Sequence, residues 1–89
     1  MTIKVEQPSE EKLEEMGVKS WPIWTKEESE FDWHYGEQEI CYLLKGEVEI
    51  ETEDGEQVTI KEGDLVTFSQ GLDCVWNIKK AVKKHYQLG

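Results

Sequence analysis

The chain has 89 residues, the length of one domain, and we expect a single domain over residues 1–89. Twenty acidic residues against ten basic ones give a net charge of −10, which argues against nucleic acid or an anionic membrane as a partner. No apolar segment resembles a secretory signal or is long enough to span a bilayer, so we expect a cytoplasmic protein. Cys41 and Cys74 have neither the C-x-x-C spacing nor the spacing of a zinc finger, and they are expected to be reduced thiols.

The N-terminal part predicts a short strand followed by a short helix. Ile3–Val5 has a strand-like composition, and Ser9 is a good N-cap ahead of two glutamates at the positive end of the helix dipole. Gly17 predicts the end of this helix. We expect three apolar side chains to pack the segment onto the rest of the domain, those of Leu13, Met16 and Val18.

From Trp21 onward the pattern changes to the two-residue period of β-strands. Turn residues divide this region into short segments, which with the first strand give about eight strands. Such a pattern is typical of an antiparallel sandwich or barrel. The predicted strands after Trp21 are 31–35, 39–44, 47–52, 56–60, 65–68, 73–78 and 82–88.

Asp54-Gly55 predicts a β-hairpin, and the apolar pattern selects its register. A two-residue turn would place apolar and polar side chains on the same face of the hairpin. A three-residue loop with Gly55 left-handed pairs Ile50 with Val58 and separates an apolar face from a polar one. The second register is therefore predicted, with Val48 opposite Ile60 and Thr52 opposite Glu56.

The aromatic segment before Glu39 alternates strictly. Phe31, Trp33 and Tyr35 share one face of their strand, whereas Asp32 and His34 share the other. Because a barrel buries its apolar face, we expect Trp33 and Tyr35 to point inward.

Two stretches resemble the two sequence motifs of the cupin superfamily. Glu39 is followed after six residues by Gly46, and Gly63-Asp64 is followed by Ser69-Gln70-Gly71 and Cys74. One predicted hairpin separates the two stretches, as in that superfamily. The resemblance implies a small all-β, antiparallel jelly-roll barrel with one short N-terminal helix.

The residues at the metal-binding positions of these motifs differ from the usual three histidines and one glutamate. Depending on the alignment, the first two histidine positions hold Trp33 and Tyr35 or Asp32 and His34, and the third holds Cys74. Indole and phenol are poor ligands for divalent metals, so we expect no metal of the usual cupin kind and no other cofactor. One alternative stays open: a bulge near Gly36 could reverse the strand and let His34, Glu39 and Cys74, with Asp32, bind a metal.

Within the superfamily, the chain is similar to the (S)-ureidoglycine aminohydrolase group and to the ethanolamine-utilisation cupin. The matching segments are Trp21-Pro22-Ile23-Trp24, Phe31-x-Trp33-x-Tyr35, residues 39–46 and Val82-x-Lys84-x-Tyr86. Many members of that group are known only as cupins of unknown function. The resemblance therefore implies the fold more strongly than it implies an activity.

Several polar and aromatic side chains are predicted to face the same cavity. The resemblance places Glu39 inside, and a buried carboxylate is costly unless it is paired, which makes Lys84 a plausible partner. This pair has two readings, a structural ion pair or a polar anchor for the carboxylate or amide of a ligand. Cys74 is read as a small buried apolar group, because neither histidine has the parity to activate it.

Three functions are compatible with these residues. The first is binding of a small polar metabolite in the barrel without the usual metal. The second is a metal-dependent hydrolase of the ureidoglycine aminohydrolase type, with Glu39 as candidate acid–base. The third is a homodimeric interaction module that uses an edge strand or exposed Trp21 and Trp24. The predicted ligand-binding residues are Trp33, Tyr35, Glu39, Cys41, Cys74, Trp76, Lys84 and Tyr86.

Overall fold

A computed structural model describes residues 2–89 of the chain. Within these residues there are seven strands and one α-helix, with a 3-10 helix at Val18–Ser20 after the α-helix. The elements are β1 (Ile3–Glu6), α1 (Glu10–Met16), β2 (Ile23–Lys26), β3 (Ser29–His34), β4 (Glu39–Thr52), β5 (Gln57–Lys61), β6 (Leu65–Phe68) and β7 (Asp73–Leu88).

All seven strands pair antiparallel in one sheet, and the two long strands β4 and β7 pair with each other over most of their length. The first half of β4 and the second half of β7 continue to β6, β1 and β2. The other halves continue to β5 and β3. The sheet thereby consists of two layers that share β4 and β7.

The bend between these layers lies at Gly46. The ladder between β4 and β7 changes register three times between Leu43 and Val48, as β-bulges do. Gly46 has a φ of 106°, and a Cβ there would lie 2.5 Å from the carbonyl oxygen of Ala81. Only glycine combines this φ with so close a backbone approach.

The prediction of about eight strands was wrong in three places: two pairs of predicted strands are each one strand, and one short strand was missed. Segments 39–44 and 47–52 form the single strand β4, and segments 73–78 and 82–88 form β7. Gly46 and the charged residues 79–80 suggested breaks, but the bulges bend the strands without ending their ladder. The short strand β2 was not predicted as a separate element.

The predictions for α1 and for the hairpin are confirmed. The hydroxyl of Ser9 accepts the backbone N–H of Lys12 at 3.2 Å, and Gly17 ends the helix with a φ of 70°. In the β4–β5 hairpin, Ile50 pairs with Val58 and Val48 with Ile60, and Gly55 is left-handed. The register therefore follows the apolar pattern.

The core lies between the two layers and takes side chains from both. Phe68, Leu43 and Val66 come from one layer, and Ile60 and Trp76 from the other. All are essentially inaccessible to solvent.

A second, smaller apolar cluster forms where the N-terminal segment covers the outer face of β4. Leu13, Val18 and Trp21 are buried there, with Met16, Ile40 and Tyr42 packed against them. His85 is also buried beneath this segment, its Nδ1 2.9 Å from the carbonyl oxygen of Trp21. The prediction that α1 packs onto the domain is confirmed.

The expectation that Trp21 and Trp24 are exposed is wrong. Trp21 is only 9% exposed because it belongs to the N-terminal cluster. Trp24 is half-buried because it packs against the main core from β2. Within residues 2–89, no helix is both long and apolar enough to cross a membrane.

Candidate functional site

A cavity of about 220 Å³ opens at the end of the sheet where β2, β3, β4 and β7 come together; we call it the mouth. Its walls are mostly aromatic, and in the described part of the chain its only two charged side chains are those of Glu39 and Lys84. The full lining consists of Trp24, Phe31, Trp33, Tyr35, Glu39, Trp76, Lys84, Tyr86 and Leu88.

The polar group of the mouth is a buried ion pair. Lys84 Nζ donates to Glu39 Oε2 at 2.6 Å, and the two side chains are only 7% and 8% exposed. Glu39 begins β4 and Lys84 lies near the end of β7, and the antiparallel register puts both on the inner face. The pair predicted from the sequence is thus confirmed.

Two indole rings complete the surroundings of the Lys84 ammonium. Nζ lies 4.8 Å from the ring centroid of Trp24 and 4.8 Å from that of Trp76. A cation over an aromatic face is stabilised by the ring quadrupole, and more strongly where water is excluded. The site therefore stabilises one positive charge at Nζ by a carboxylate and two rings.

Tyr35 lines the inner end of the mouth and belongs to an aromatic stack. Its ring stacks on Phe68 at 4.6 Å, and its hydroxyl oxygen accepts the indole N–H of Trp76 at 3.1 Å. Burial, together with the negative charge of Glu39, raises the pKa of Tyr35 far above its ordinary value. The phenol is therefore neutral, and its O–H remains a hydrogen-bond donor.

Both thiols lie outside the mouth lining and are protonated at neutral pH. Burial raises the pKa of Cys41, which is fully buried, to about 12, although nearby Lys84 opposes the shift. Burial raises the pKa of Cys74 to about 11, and the charge of Asp73 adds to it. Because the thiolate is the reactive form, neither cysteine is an activated nucleophile.

A second, larger depression of about 730 Å³ lies on the outer side of β3 and β7; we call it the outer groove. His34 and Asp73 form an exposed pair there, with Nδ1 and Oδ1 2.7 Å apart. Although larger, the outer groove is shallow and solvent-exposed, and its only ion pair is 60% and 54% exposed. The mouth is the better candidate site because its polar groups are desolvated and converge.

The chain does not provide the metal site that its fold class suggests. In one alignment of the motif, the ligand positions hold Trp33 and a neutral phenol, and the carboxylate beside them is already bound to the Lys84 ammonium. In the other, Asp32 and His34 lie in the outer groove, away from Glu39. No group of three or more metal-ligating side chains occurs in residues 2–89. β3 pairs with β7 in an unbroken register through His34, so His34 lies in the outer groove, apart from Glu39.

Six of the eight predicted ligand-binding residues line the mouth: Trp33, Tyr35, Glu39, Trp76, Lys84 and Tyr86. The prediction that Trp33 points inward holds only in part, because it lies at the rim, 48% exposed, near the end of β3. Cys41 and Cys74 are not part of the mouth lining: Cys41 is fully buried in the main core, and Cys74 lines the outer groove.

Sequence reasoning missed three lining residues, Trp24, Phe31 and Leu88. Leu88 and Phe31 follow from parity, since they alternate with Tyr86 and Trp33 on strands already predicted. Trp24 could not be placed in this way because β2 was not recognised as a strand. In the structure it pairs directly with Lys84, which explains its contact with the ammonium.

The bent antiparallel sheet with a side-chain-lined mouth at one end defines a small cupin-type domain. The chain belongs to the EutQ-like cupin domain family, whose model matches residues 13–86. This agrees with the superfamily and with the ethanolamine-utilisation group suggested by the motifs. A search of curated proteins found no matching relative.

Solved structures support the same assignment. A DUF861 family protein from Thermotoga maritima is 53% identical, with a TM-score of 0.98 over 99% of this chain and 100% of that one. The Clostridium difficile EutQ protein is 23% identical, with a TM-score of 0.67 over 74% of this chain and 52% of that one. This chain thus spans about half the length of that EutQ protein, and at this identity the likeness concerns the fold.

A Pseudomonas syringae protein of unknown function from the DUF861 family is 28% identical, with a TM-score of 0.69. The alignment covers 75% of this chain and 29% of that one. The cupin domain is therefore also found within a considerably longer chain.

Proposed function

We propose that the chain binds a small polar metabolite in the mouth, without a metal of the usual cupin kind. The observation that carries this proposal is the Lys84–Glu39 pair, which is desolvated yet lines a cavity. An ion pair on the wall of a cavity, rather than within the core, is placed to contact a ligand. Ligand sites characteristically combine apolar walls with a few placed polar groups.

The polar groups of the mouth would orient such a ligand. Glu39 accepts a hydrogen bond from Lys84 through Oε2. An ammonium has three donors, of which Glu39 takes one. Together with the O–H of Tyr35, these groups suit a carbonyl, amide or carboxyl group of the ligand. The aromatic walls would pack against its remainder.

Hydrolysis of the ureidoglycine aminohydrolase type is a weaker candidate. Glu39 would serve as its acid–base, but the carboxylate is bound to Lys84, and the residues at the metal positions do not fit a divalent ion. Such an activity would need a metal held by other groups. Binding without chemistry at a metal requires only what the mouth contains.

Location and assembly are further proposals. Both cysteines are free, which suits a reducing cytoplasm, and the net charge of −10 disfavours nucleic acid and anionic membranes as partners. A homodimer would cover some of the exposed apolar side chains, Ile23, Trp33 and Leu88. Size-exclusion chromatography with light scattering would test it, and a monomer mass at high concentration would exclude it.

A thermal-shift screen against ureides, carboxylates and sugars would test the binding proposal. A ligand of the mouth should raise the midpoint of unfolding of the native chain. The shift should be lost in Glu39→Gln and Lys84→Ala. It should persist in the matched control His34→Ala, which alters only the outer groove. A shift that is equal in all three variants would place the ligand elsewhere.

The four tryptophans offer a sharper readout. Trp24, Trp33 and Trp76 line the mouth, and Trp33 also borders the outer groove, whereas Trp21 lies in the N-terminal cluster. In a ¹⁵N–¹H NMR titration, a mouth ligand should move the first three indole signals and leave that of Trp21 in place. Movement of Trp21 alone would contradict the proposal.

A further inference from the structure

Lys84 is a buried amine that opens onto a cavity, and the binding proposal uses only its charge. We propose that Lys84 is also a nucleophile, which condenses reversibly with a small uncharged aldehyde or ketone to form a protonated Schiff base. This inference rests on the proposal that the mouth admits a small molecule. Lysines that are desolvated among apolar side chains are the ones that proteins use for Schiff-base chemistry.

Glu39 supplies the proton acceptor that the reaction needs. The Lys84 ammonium first gives one proton to Glu39 across the 2.6 Å contact, which frees the lone pair of the nitrogen. The amine then adds to the carbonyl carbon to give a carbinolamine. Glu39 returns its proton to the departing hydroxyl, water leaves, and the nitrogen–carbon double bond carries the positive charge. Ammonium plus carbonyl thus becomes iminium plus water, with no redox partner required.

The surroundings of Nζ favour this product over other modifications of the amine. A protonated Schiff base keeps the positive charge where Glu39, Trp24 and Trp76 already stabilise it. Acylation of Lys84 would remove that charge and leave Glu39 buried without a partner, which is strongly unfavourable. The site therefore selects carbonyl compounds over acyl donors.

The charge balance of the mouth also defines the carbonyl compound. Among residues 2–89, Lys84 is the only cation and Glu39 the only anion of the lining. Once the iminium pairs with Glu39, no positive charge remains to compensate a carboxylate on the ligand. The substrate is therefore uncharged, and its apolar part packs against rings such as Phe31 and Tyr86.

The size of the mouth limits the substrate further. A cavity of 220 Å³ corresponds to the liquid volume of roughly seven water molecules, each taking about 30 Å³. A chain of about four to six carbon atoms fills it by the same measure. Nucleotides are too large.

Reductive trapping tests the inference with a matched pair of probes. The native chain is treated briefly, at low concentration and neutral pH, with butanal or with 4-oxobutanoate in the presence of cyanoborohydride. Cleavage at acidic residues and mass spectrometry then give the modification of each lysine. With butanal, we expect Lys84 to be alkylated on the order of tenfold faster than its exposed neighbour Lys83, because binding places the carbonyl at Nζ. With 4-oxobutanoate, this preference should disappear.

Equal labelling of Lys84 and Lys83 by butanal would overturn the inference, as would a preference for 4-oxobutanoate. Lys84→Arg keeps the charge but cannot condense, so it should lose the preferred adduct and keep the slow labelling of the other lysines. If that variant does not fold, the ratio of Lys84 to Lys83 in the native chain decides alone. If butanal moves the indole NMR signals of Trp24 and Trp76 but is not trapped on Lys84, the Schiff-base inference is overturned and the binding proposal stands.

Discussion

The mouth and the outer groove contain ion pairs of almost equal length in opposite environments. Lys84–Glu39 spans 2.6 Å and His34–Asp73 spans 2.7 Å. The side chains of the first pair are 7% and 8% exposed, and those of the second 60% and 54%. Water screens the second pair and competes for its hydrogen bonds, whereas the first pair has lost its hydration. Burial, rather than distance, decides what each pair contributes.

The strongest test of this difference removes one partner of the buried pair. Lys84→Ala leaves the Glu39 carboxylate uncompensated, and we expect it to lower the free energy of unfolding by about 3–5 kcal/mol. Urea denaturation measures this change. Lys83→Ala, at an exposed position on the same strand, is the matched control and should change stability by no more than about 0.5 kcal/mol. Similar losses in both variants would mean that the buried pair is not distinctive.

Replacing both Glu39 and Lys84 by apolar residues separates the cost of an unpaired charge from the contribution of the ion pair itself. In the double variant Glu39→Leu with Lys84→Met, no charge is left unpaired, and the apolar side chains approximate the original volume. We expect the double variant to recover most of the stability lost in Lys84→Ala, and to be up to about 1–4 kcal/mol more stable than the native chain if packing is good. A double variant as unstable as the single one would show that the pair itself, and not its desolvation, stabilises the fold.

The aromatic wall of the mouth should show a smaller effect. Trp76→Phe removes the indole donor to Tyr35 and one of the two rings over Lys84, and we expect a loss of about 1–3 kcal/mol. Trp33→Phe at the exposed rim should cost no more than about 0.5 kcal/mol. Guanidinium denaturation followed by circular dichroism compares the two. Equal losses would contradict the placement of Trp76 in the core.

The two cysteines predict how stability changes at alkaline pH. The thiol pKa is raised in the folded chain, from 9.0 to about 12 for Cys41 and to about 11 for Cys74. The unfolded chain therefore loses these protons first, so their contribution to stability is complete below pH 9 and is lost as pH rises toward the folded values. For Cys41 alone, the loss is roughly 1 kcal/mol by about pH 10. In Cys41→Ala, urea denaturation across this range should give a shallower fall of stability with pH.

The smallest effect is expected in the outer groove. Asp73→Asn breaks the pair with His34, but both groups remain hydrated, so stability should change by about 0–1 kcal/mol. A double-mutant cycle with His34→Gln isolates the pair, and high salt should weaken the coupling further. A coupling energy comparable with that of Lys84 and Glu39 would remove the distinction between the two regions.

The local sequence pattern was sufficient to predict much of the fold. Ser9 and Gly17 mark the ends of α1 because a helix terminus needs a side-chain acceptor at its start and a left-handed residue at its end. The register of the β4–β5 hairpin follows from apolar alternation, because a slip of one residue would turn every buried side chain to solvent. The family resemblance placed Glu39 inside, and the cost of an unpaired buried carboxylate then made Lys84 its plausible partner.

Other features depend on which strands become neighbours in the sheet. The alternation of apolar and polar residues along the chain does not specify this. Gly46 looks like the end of a strand, and only its approach to Ala81 shows that it is a bend within one. Trp24 contacts the Lys84 ammonium because β2 pairs with β7. Cys74 is buried in the main core and borders the outer groove, although the motif places it in the cavity.

The sequence by itself determined the class of fold, the helix ends, the hairpin register and most of the residues of the mouth, because these depend on periodicity and on local backbone preferences. The tertiary structure alone decided that two long bent strands join the layers, that Trp21 is buried, and that Trp24 and Trp76 enclose one ammonium. Those outcomes depend on contacts between segments distant in the chain, whose geometry is set by packing.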